Sequence, residues 1–388
     1  MYLDYGAGMP LDPKVLEAMK PYFLKDYGNP SSAHSFGNKA KAALAVSREN
    51  VAQLVAAEKD QEIIFTSGGT ESNNLAIKGA AYRNKKKGNH IITTAIEHIS
   101  VMNICKFLQK QGFEVSYIPV DKQGVVDVKK LEETINDKTI LISVMYANGE
   151  IGTIQPIKEI GKLARDNKVT FHVDAVAAAG KVPINVKDEN IDLMSISSND
   201  IYGPKGVGAL YIKTGTKIQP VTQGGGQERG VRSGTENVPG IFGMGKAAEL
   251  AKKQMNAEGK RLTRVRDRLI KGVLDKIQYS FLNGHPTQRL PNNANLRFSY
   301  IEGESLILGL DMYGIQVSSG SACTSKTLEP SHTLLAIGLA HEEAHGSLVF
   351  TLGKQNSEED MDYVIEVLPD VVKRLRALSP LTPKEILR

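Results

Sequence analysis

Cys323 lies in SSGSACTSKTLEPSH (318–332), a run of small, polar residues. Such surroundings suit an accessible thiolate, the nucleophilic and metal-binding form of cysteine. Cys105 is the contrasting case: it falls between Val101 and Leu108 on one face of a helical pattern, where a thiol acts as a small apolar side chain. Four further stretches carry groups suited to chemistry. EH (97–98) places His98 after an apolar run, and FHVDA (171–175) puts Asp174 at the end of another. TSGGTESNN (66–74) is a small-residue turn opening a helical pattern, the arrangement that aims backbone N–H groups and hydroxyls such as Thr70 at a phosphate. By itself this signal is weak, because glycine-rich strand-to-helix turns are common. GGGQERGVRSGTEN (224–237) is a second glycine-rich loop, with two arginines and Thr235. His332, His341 and His345 invite a metal reading, but HEEAH reads as a helix start or turn. HEEAH is not a zinc-protease motif: it ends at Gly346 and leads into a strand pattern. No metal role is assigned to these histidines.

The elements that must position these groups alternate. EIIFTS (62–67), HIITTA (90–95), FEVSYIPV, TILISVMY, VTFHVDAV, IDLMSIS and GALYI read as strands, separated by helical patterns such as ESNNLAIKGAAYR and IKEIGKLARDN. Strands joined by helices predict a parallel sheet covered on both faces, with ligands beyond the strands' carboxyl ends. From about Asn237 a long charged helical pattern leads to a second α+β texture, and a capping sequence at Asn356 or Ser357 opens the last helix. The expected division is a large domain over 12–250, with 1–11 and 251–388 forming a small domain that carries the cysteine loop.

The 388 residues suffice for two domains. The net charge of +5 is mild, and Lys85-Lys86-Lys87 reads as a solvated helix end, which argues against nucleic acid as a partner. Two distant cysteines make no disulfide framework, no run of 18 apolar residues offers a membrane span, and MYLDYGAGMP is no cleavable leader. The expected location is the cytoplasm.

In this order and spacing, the stretches above, with NPSSAHSFG (29–37), NGEIGTIQP (148–156) and GPKGVGALYI, resemble the cysteine desulfurases of the NifS/IscS type nearly end to end. The resemblance implies the type I pyridoxal-phosphate (PLP) transferase fold of aspartate aminotransferase, with a mostly parallel seven-stranded sheet and a small α+β domain, in a homodimer. By the same resemblance Thr70, Ser197 and the partner subunit's Thr235 bind the cofactor phosphate. His98 stacks on the ring, and Asp174 pairs with its nitrogen. Cys323 takes sulfur from L-cysteine as a persulfide, leaving L-alanine, on a loop of the longer kind that reaches an IscU-like iron–sulfur scaffold protein.

The chain departs from the family pattern at five positions. The family's S-x-H-K reads Ser197-Ser198-Asn199-Asp200, so Asp200 stands where the Schiff-base lysine belongs and Asn199 where a histidine does. D-A-x-Q reads Asp174-Ala175-Val176-Ala177, N-N-E-x-G has Gly149 for its second asparagine, and G-S-[IL]-R-F has Val349 for the substrate-gripping arginine. Asp200 removes the covalent tether and sets a carboxylate near a phosphate. Losing the arginine forgoes roughly 1.5–3 kcal/mol, about ten- to 150-fold in affinity. Lys205, within GPKG, reads as a loop lysine and no substitute. The chain therefore resembles an archaeal-like variant without the Schiff-base lysine. Its expected role is iron–sulfur assembly with impaired PLP catalysis, PLP being noncovalent or absent. Cys323 would be offered as sulfur acceptor or as ligand to a [2Fe–2S] cluster shared with the scaffold. An active desulfurase (sulfurtransferase) and a structural partner of an active paralogue are the alternatives.

Overall fold

The computed structural model describes residues 1–320 and 330–385. In chain order, helices α1 (Pro13–Met19), α2 (Pro21–Leu24) and α3 (Ser35–Leu54) lead to strand β1 (Ile63–Thr66). There follow α4 (Gly69–Asn84), β2 (His90–Thr94), α5 (Ile99–Gln109), β3 (Glu114–Ile118), α6 (Val128–Thr134) and β4 (Thr139–Met145). Next come α7 (Ile157–Asp166), β5 (Thr170–Asp174), β6 (Leu193–Ser197), β7 (Gly208–Ile212) and the 39-residue α8 (Val238–Lys276). The remainder is β8 (Ser280–Asn283), β9 (Asn293–Phe298), α9 (Gly303–Asp311), α10 (His332–Ala336), α11 (His341–His345), β10 (Ser347–Thr351) and α12 (Glu358–Leu378).

The first seven strands form one sheet in the order β1-β7-β6-β5-β4-β2-β3. Only β7 runs against its neighbours; β2, β3, β4, β5 and β6 pair in parallel. The apolar runs predicted as strands are these strands, and most are buried on both faces, as a sheet covered by helices requires. Because β7 alone is reversed, the carboxyl ends of the other six share one edge. Asp174 and Ser197 end β5 and β6 there, and α4 and α5 begin there.

A second, antiparallel sheet, β10-β9-β8, packs with α9, α12 and the second half of α8 around its own core. α8 serves both cores. Ile241, Met244, Ala248 and Leu250 belong to the large sheet's core, and Leu262, Val265, Leu269 and Val273 to the other. Leu3 joins the second core, and the first residues bridge Gln316 and Thr351. The last helix opens as its sequence predicts: Ser357 caps the amide of Asp360, and Asp360 caps that of Ser357. Lys85-Lys86-Lys87 is an exposed turn after α4. No helix among the described residues is long and apolar enough to cross a membrane.

Candidate active site

The edge where six strands end carries the site. Asp174 is 5% exposed, and its carboxylate is held on both oxygens: Oδ1 accepts from the Val176 amide (3.0 Å) and Oδ2 from Asn73 Nδ2 (2.8 Å). Burial pushes its pKa up, His98, Val176 and Asn73 oppose that, and the charge of Asp200 adds to it. Asn73, on α4, also donates to Ser100 Oγ (3.0 Å), which lies 2.7 Å from His98 Nδ1. The Ser100 amide donates to the same nitrogen at 3.2 Å, so His98 caps α5 and Nδ1 is an acceptor. A polar chain thus runs from Asp174 through Asn73 and Ser100 to His98.

Beside it, α4 begins at a glycine turn. Gly68 adopts φ 150°, open only to glycine, and Thr70 stands exposed in the first helical turn. Val176 lies over that turn: a Cβ on Gly69 would come within 2.6 Å of Val176 Cγ2. Glu71 accepts from the Ser67 amide (2.7 Å) and from Arg232 Nε (2.9 Å). Burial opposes ionisation there, but Arg232 and Ser67 hold Glu71 below the usual carboxylate range. Arg232 in turn ties the loop with the exposed Thr235 to α4. That loop is also anchored beneath β1, where buried Glu228 takes both Arg48 Nη1 and Nη2 at 2.7 Å and the Phe65 amide at 2.9 Å.

Ser197 ends β6, and Asn199-Asp200-Ile201 form a short 3-10 turn after it. Asn199 Oδ1 accepts from the Met9 amide (3.3 Å), and Lys205 Nζ donates to the Met9 carbonyl (2.9 Å). Lys205 is therefore committed to the N-terminal segment. Lys181 lines a cavity with Asp200 and donates to the Ala177 carbonyl (3.0 Å). Burial lowers its pKa and the charge of Asp200 opposes this. Gly149 and Ala177 face each other: a Cβ on Gly149 would stand 3.6 Å from that of Ala177. Val349 is buried in β10 opposite Asn295 and bridges Ser318 through both backbone groups. Cys323 lies outside the described residues.

The class-V aminotransferase family matches residues 1–364. Cysteine desulfurase IscS 1 of Archaeoglobus fulgidus is 56% identical over 380 residues, covering 98% of this chain and 99% of its own. Cysteine desulfurase IscS of Clostridium botulinum is 56% identical over 383 residues, covering 98% and 96%. This chain belongs to the cysteine desulfurase family. A solved NifS-like protein superposes with a TM-score of 0.90 at 38% identity, covering 97% of this chain and all of its own.

The cysteine desulfurase family is PLP-dependent, and the residues present fit part of that cofactor. Asp174, fixed by Asn73 and Val176, suits the ring nitrogen, and the glycine turn with Thr70 suits the phosphate. At residue 200 the chain offers a carboxylate and no amine, and Gly149 and Ala177 carry no side-chain amide, so these positions supply no group suited to the ring or its aldehyde. Three participants were not legible as such in the sequence. Asn73 and Glu97 lie inside quoted motifs, but only the packing of α4 against α5 reveals Asn73's link to His98. Glu97 is fully buried, with Oε1 accepting from Thr94 Oγ1 (2.6 Å) and the Met145 amide (3.0 Å) and Oε2 unpartnered among the described residues. Burial pushes its carboxyl up to about 8. Glu150 is the third, its Oε2 accepting from Ser331 Oγ at 2.7 Å. His332, which opens α10, sets its Nε2 2.9 Å from the Glu97 carbonyl. Cys105 is sealed in the core beside Val101 and Leu108.

Proposed function

We propose that this desulfurase-family chain serves iron–sulfur cluster assembly as a homodimer, docking a scaffold protein, with its own PLP catalysis impaired. The observation that carries this reading is Asp200 on the turn after β6, whose charge works against ionised Asp174 instead of supplying an amine. PLP, when bound, supplies an electron sink; here Asp174, Thr70, Ser197 and the partner subunit's Thr235 would hold it noncovalently. Asn73 keeps Asp174 oriented, and His98 is steadied by Ser100. Cys323 offers its thiolate as one ligand to iron in a [2Fe–2S] cluster, the substrate of assembly, with the remaining ligands from the scaffold. Sulfide enters as a bridging ion, so no sulfur changes oxidation state at Cys323. As a sulfur acceptor, Cys323 takes only sulfur already at the persulfide level. We also propose that the chain divides near residue 250, where α8 passes from one core to the other.

The test is anaerobic reconstitution of the chain with its scaffold, iron and sulfide. Cys323→Ser should lower cluster content and shorten complex lifetime; an unchanged spectrum and lifetime removes the ligand role. A second reading, an active PLP-dependent desulfurase, is favoured by the names of relatives 56% identical and by the intact Asp174 cradle. A lysine-bound PLP absorbance band in the purified chain, with alanine formed from cysteine, would establish it and displace the first.

A further inference from the structure

The cavity that Lys181 and Asp200 share lies where the two cores meet and measures about 50 Å³. Lys181 comes from the segment between β5 and β6, Asp200 from the turn after β6, and Asn292 from the position before β9. α8 closes it between Ala251 and Leu262, the stretch in which that helix passes from one core to the other.

Three of its polar groups lack answering partners. Asn292 is 4% exposed; its Nδ2 donates to the Leu352 carbonyl (3.4 Å), and its Oδ1 is sealed with no hydrogen-bond partner among the described residues. Lys181 Nζ donates only to the Ala177 carbonyl (3.0 Å), and the Asp200 carboxylate accepts no hydrogen bond among the described residues. The charge of Asp200 acts on Lys181, yet the two form no ion pair. The other charged groups of the wall are paired. Lys354 Nζ donates to Asp12 Oδ2 (3.1 Å), and Arg261 Nη2 donates to Glu258 Oε1 (2.6 Å). An unanswered buried acceptor costs about 1–3 kcal/mol. A cation and an anion that share a cavity without touching leave a gap matched to a molecule bearing both charges.

We propose that this cavity binds a small zwitterion, an α-amino acid with little or no side chain, its carboxylate on Lys181 and its ammonium on Asp200 and Asn292 Oδ1. Charge decides against simpler ions. Lys181 and Asp200 already balance, so a lone cation or anion would leave an excess charge in a poorly solvated place, whereas a zwitterion adds none. The donor count agrees, since an ammonium brings three N–H groups to two acceptors that have no donor, and Lys181 keeps donors free beyond the one on Ala177. Size sets the limit: at roughly 10–15 Å³ for each water-sized group, the cavity admits glycine or alanine but no longer side chain. Water alone is the competing occupant. The ligand would touch both bodies at once, the large sheet through Lys181 and Asp200 and the small sheet through Asn292. The proposal goes beyond the cluster-assembly reading and does not rest on it.

Ligand-observed NMR titration of the full-length protein with glycine tests this. Glycine should bind with a dissociation constant of about 1 mM or tighter. Acetate and methylamine, each carrying one of glycine's two charges, should bind at least about tenfold more weakly. Lys181→Met keeps the aliphatic stem and removes the charge, and Asn292→Leu keeps the size and removes the oxygen. Each should weaken glycine by about tenfold or more. Neither residue belongs to the chain Asp174–Asn73–Ser100–His98, so these losses separate the cavity from the cofactor edge. Failure of glycine to bind, equal affinity for acetate or methylamine, or undiminished binding in either variant would overturn the proposal and leave the cavity to water. The comparison of ligands uses the parent protein, so it decides the question even where a variant does not fold.

Discussion

Asp200 reaches beyond its own position, because its charge adds to burial in raising the pKa of Asp174, the group proposed to face the cofactor's ring nitrogen in ionised form. Replacing it by lysine reverses that effect and supplies an amine together. Asp200→Lys with Asn199→His should raise PLP affinity by about tenfold or more, the scale of one charge-assisted contact, read by absorbance titration. An unchanged affinity would mean the site has lost more than these two groups. Turnover of cysteine should need Val349→Arg as well, since the buried valine of β10 offers nothing to a carboxylate. Glu97 gives a second prediction at this scale. Its folded pKa is raised to about 8 from 4.5, so the fold keeps the neutral acid. The stability this represents is present below about pH 4.5, declines as pH rises, and is gone above about 8. In urea titrations, Glu97→Gln should lose about 2–4 kcal/mol less than the parent between pH 5 and 8.5. Parallel pH profiles for the two proteins would contradict the assignment.

At the scale of elements, the loop over 224–237 is tied to α3 and α4 by the ion pairs Arg48–Glu228 and Arg232–Glu71, and these can be broken singly. Glu228→Ala leaves Arg48 without its bidentate partner and the Phe65 amide of β1 without an acceptor. It should cost roughly 3 kcal/mol in denaturant unfolding, against less than about 1 kcal/mol for the exposed pair Lys20–Glu17 broken by Glu17→Ala. Equal costs would show that the loop does not depend on the buried pair. The sequence makes these elements readable to different depths. EIIFTS, HIITTA and TILISVMY announce β1, β2 and β4 because strands buried on both faces must be continuously apolar. Asp174 and Ser197 were legible as strand-end residues because an apolar run stops at them. The chain Asp174–Asn73–Ser100–His98 was not, since it depends on the lateral packing of α4 on α5, which no local pattern encodes. Glu150 was still less so, its partner Ser331 lying 181 positions on.

For the whole molecule, α8 joins two cores into one body, and the surface that remains must accommodate a second copy if Thr235 is to serve a neighbour's phosphate. The helices before β1 offer such a surface. Phe23 is 57% exposed, Leu24 82% and Tyr27 67%, with Phe36 packed on Tyr27 at 5.6 Å between ring centres. So many large apolar side chains on one short stretch are uncommon on the free surface of a monomer, and this is where the proposed homodimer is expected to associate. The region also holds NPSSAHSFG, one of the stretches that carries the family resemblance. The expected outcome is a dimer in solution by light scattering. Leu24→Asp with Tyr27→Asp should raise the dissociation constant by about a hundredfold or more, since each change removes an apolar contact and adds a charge to be desolvated. If the partner's Thr235 serves the phosphate, the same double variant should also weaken PLP binding. A stable monomer in the parent, or a double variant that remains dimeric, would place the interface elsewhere. PLP binding unaffected by dissociation would return the phosphate wholly to Thr70 and Ser197 of the same chain.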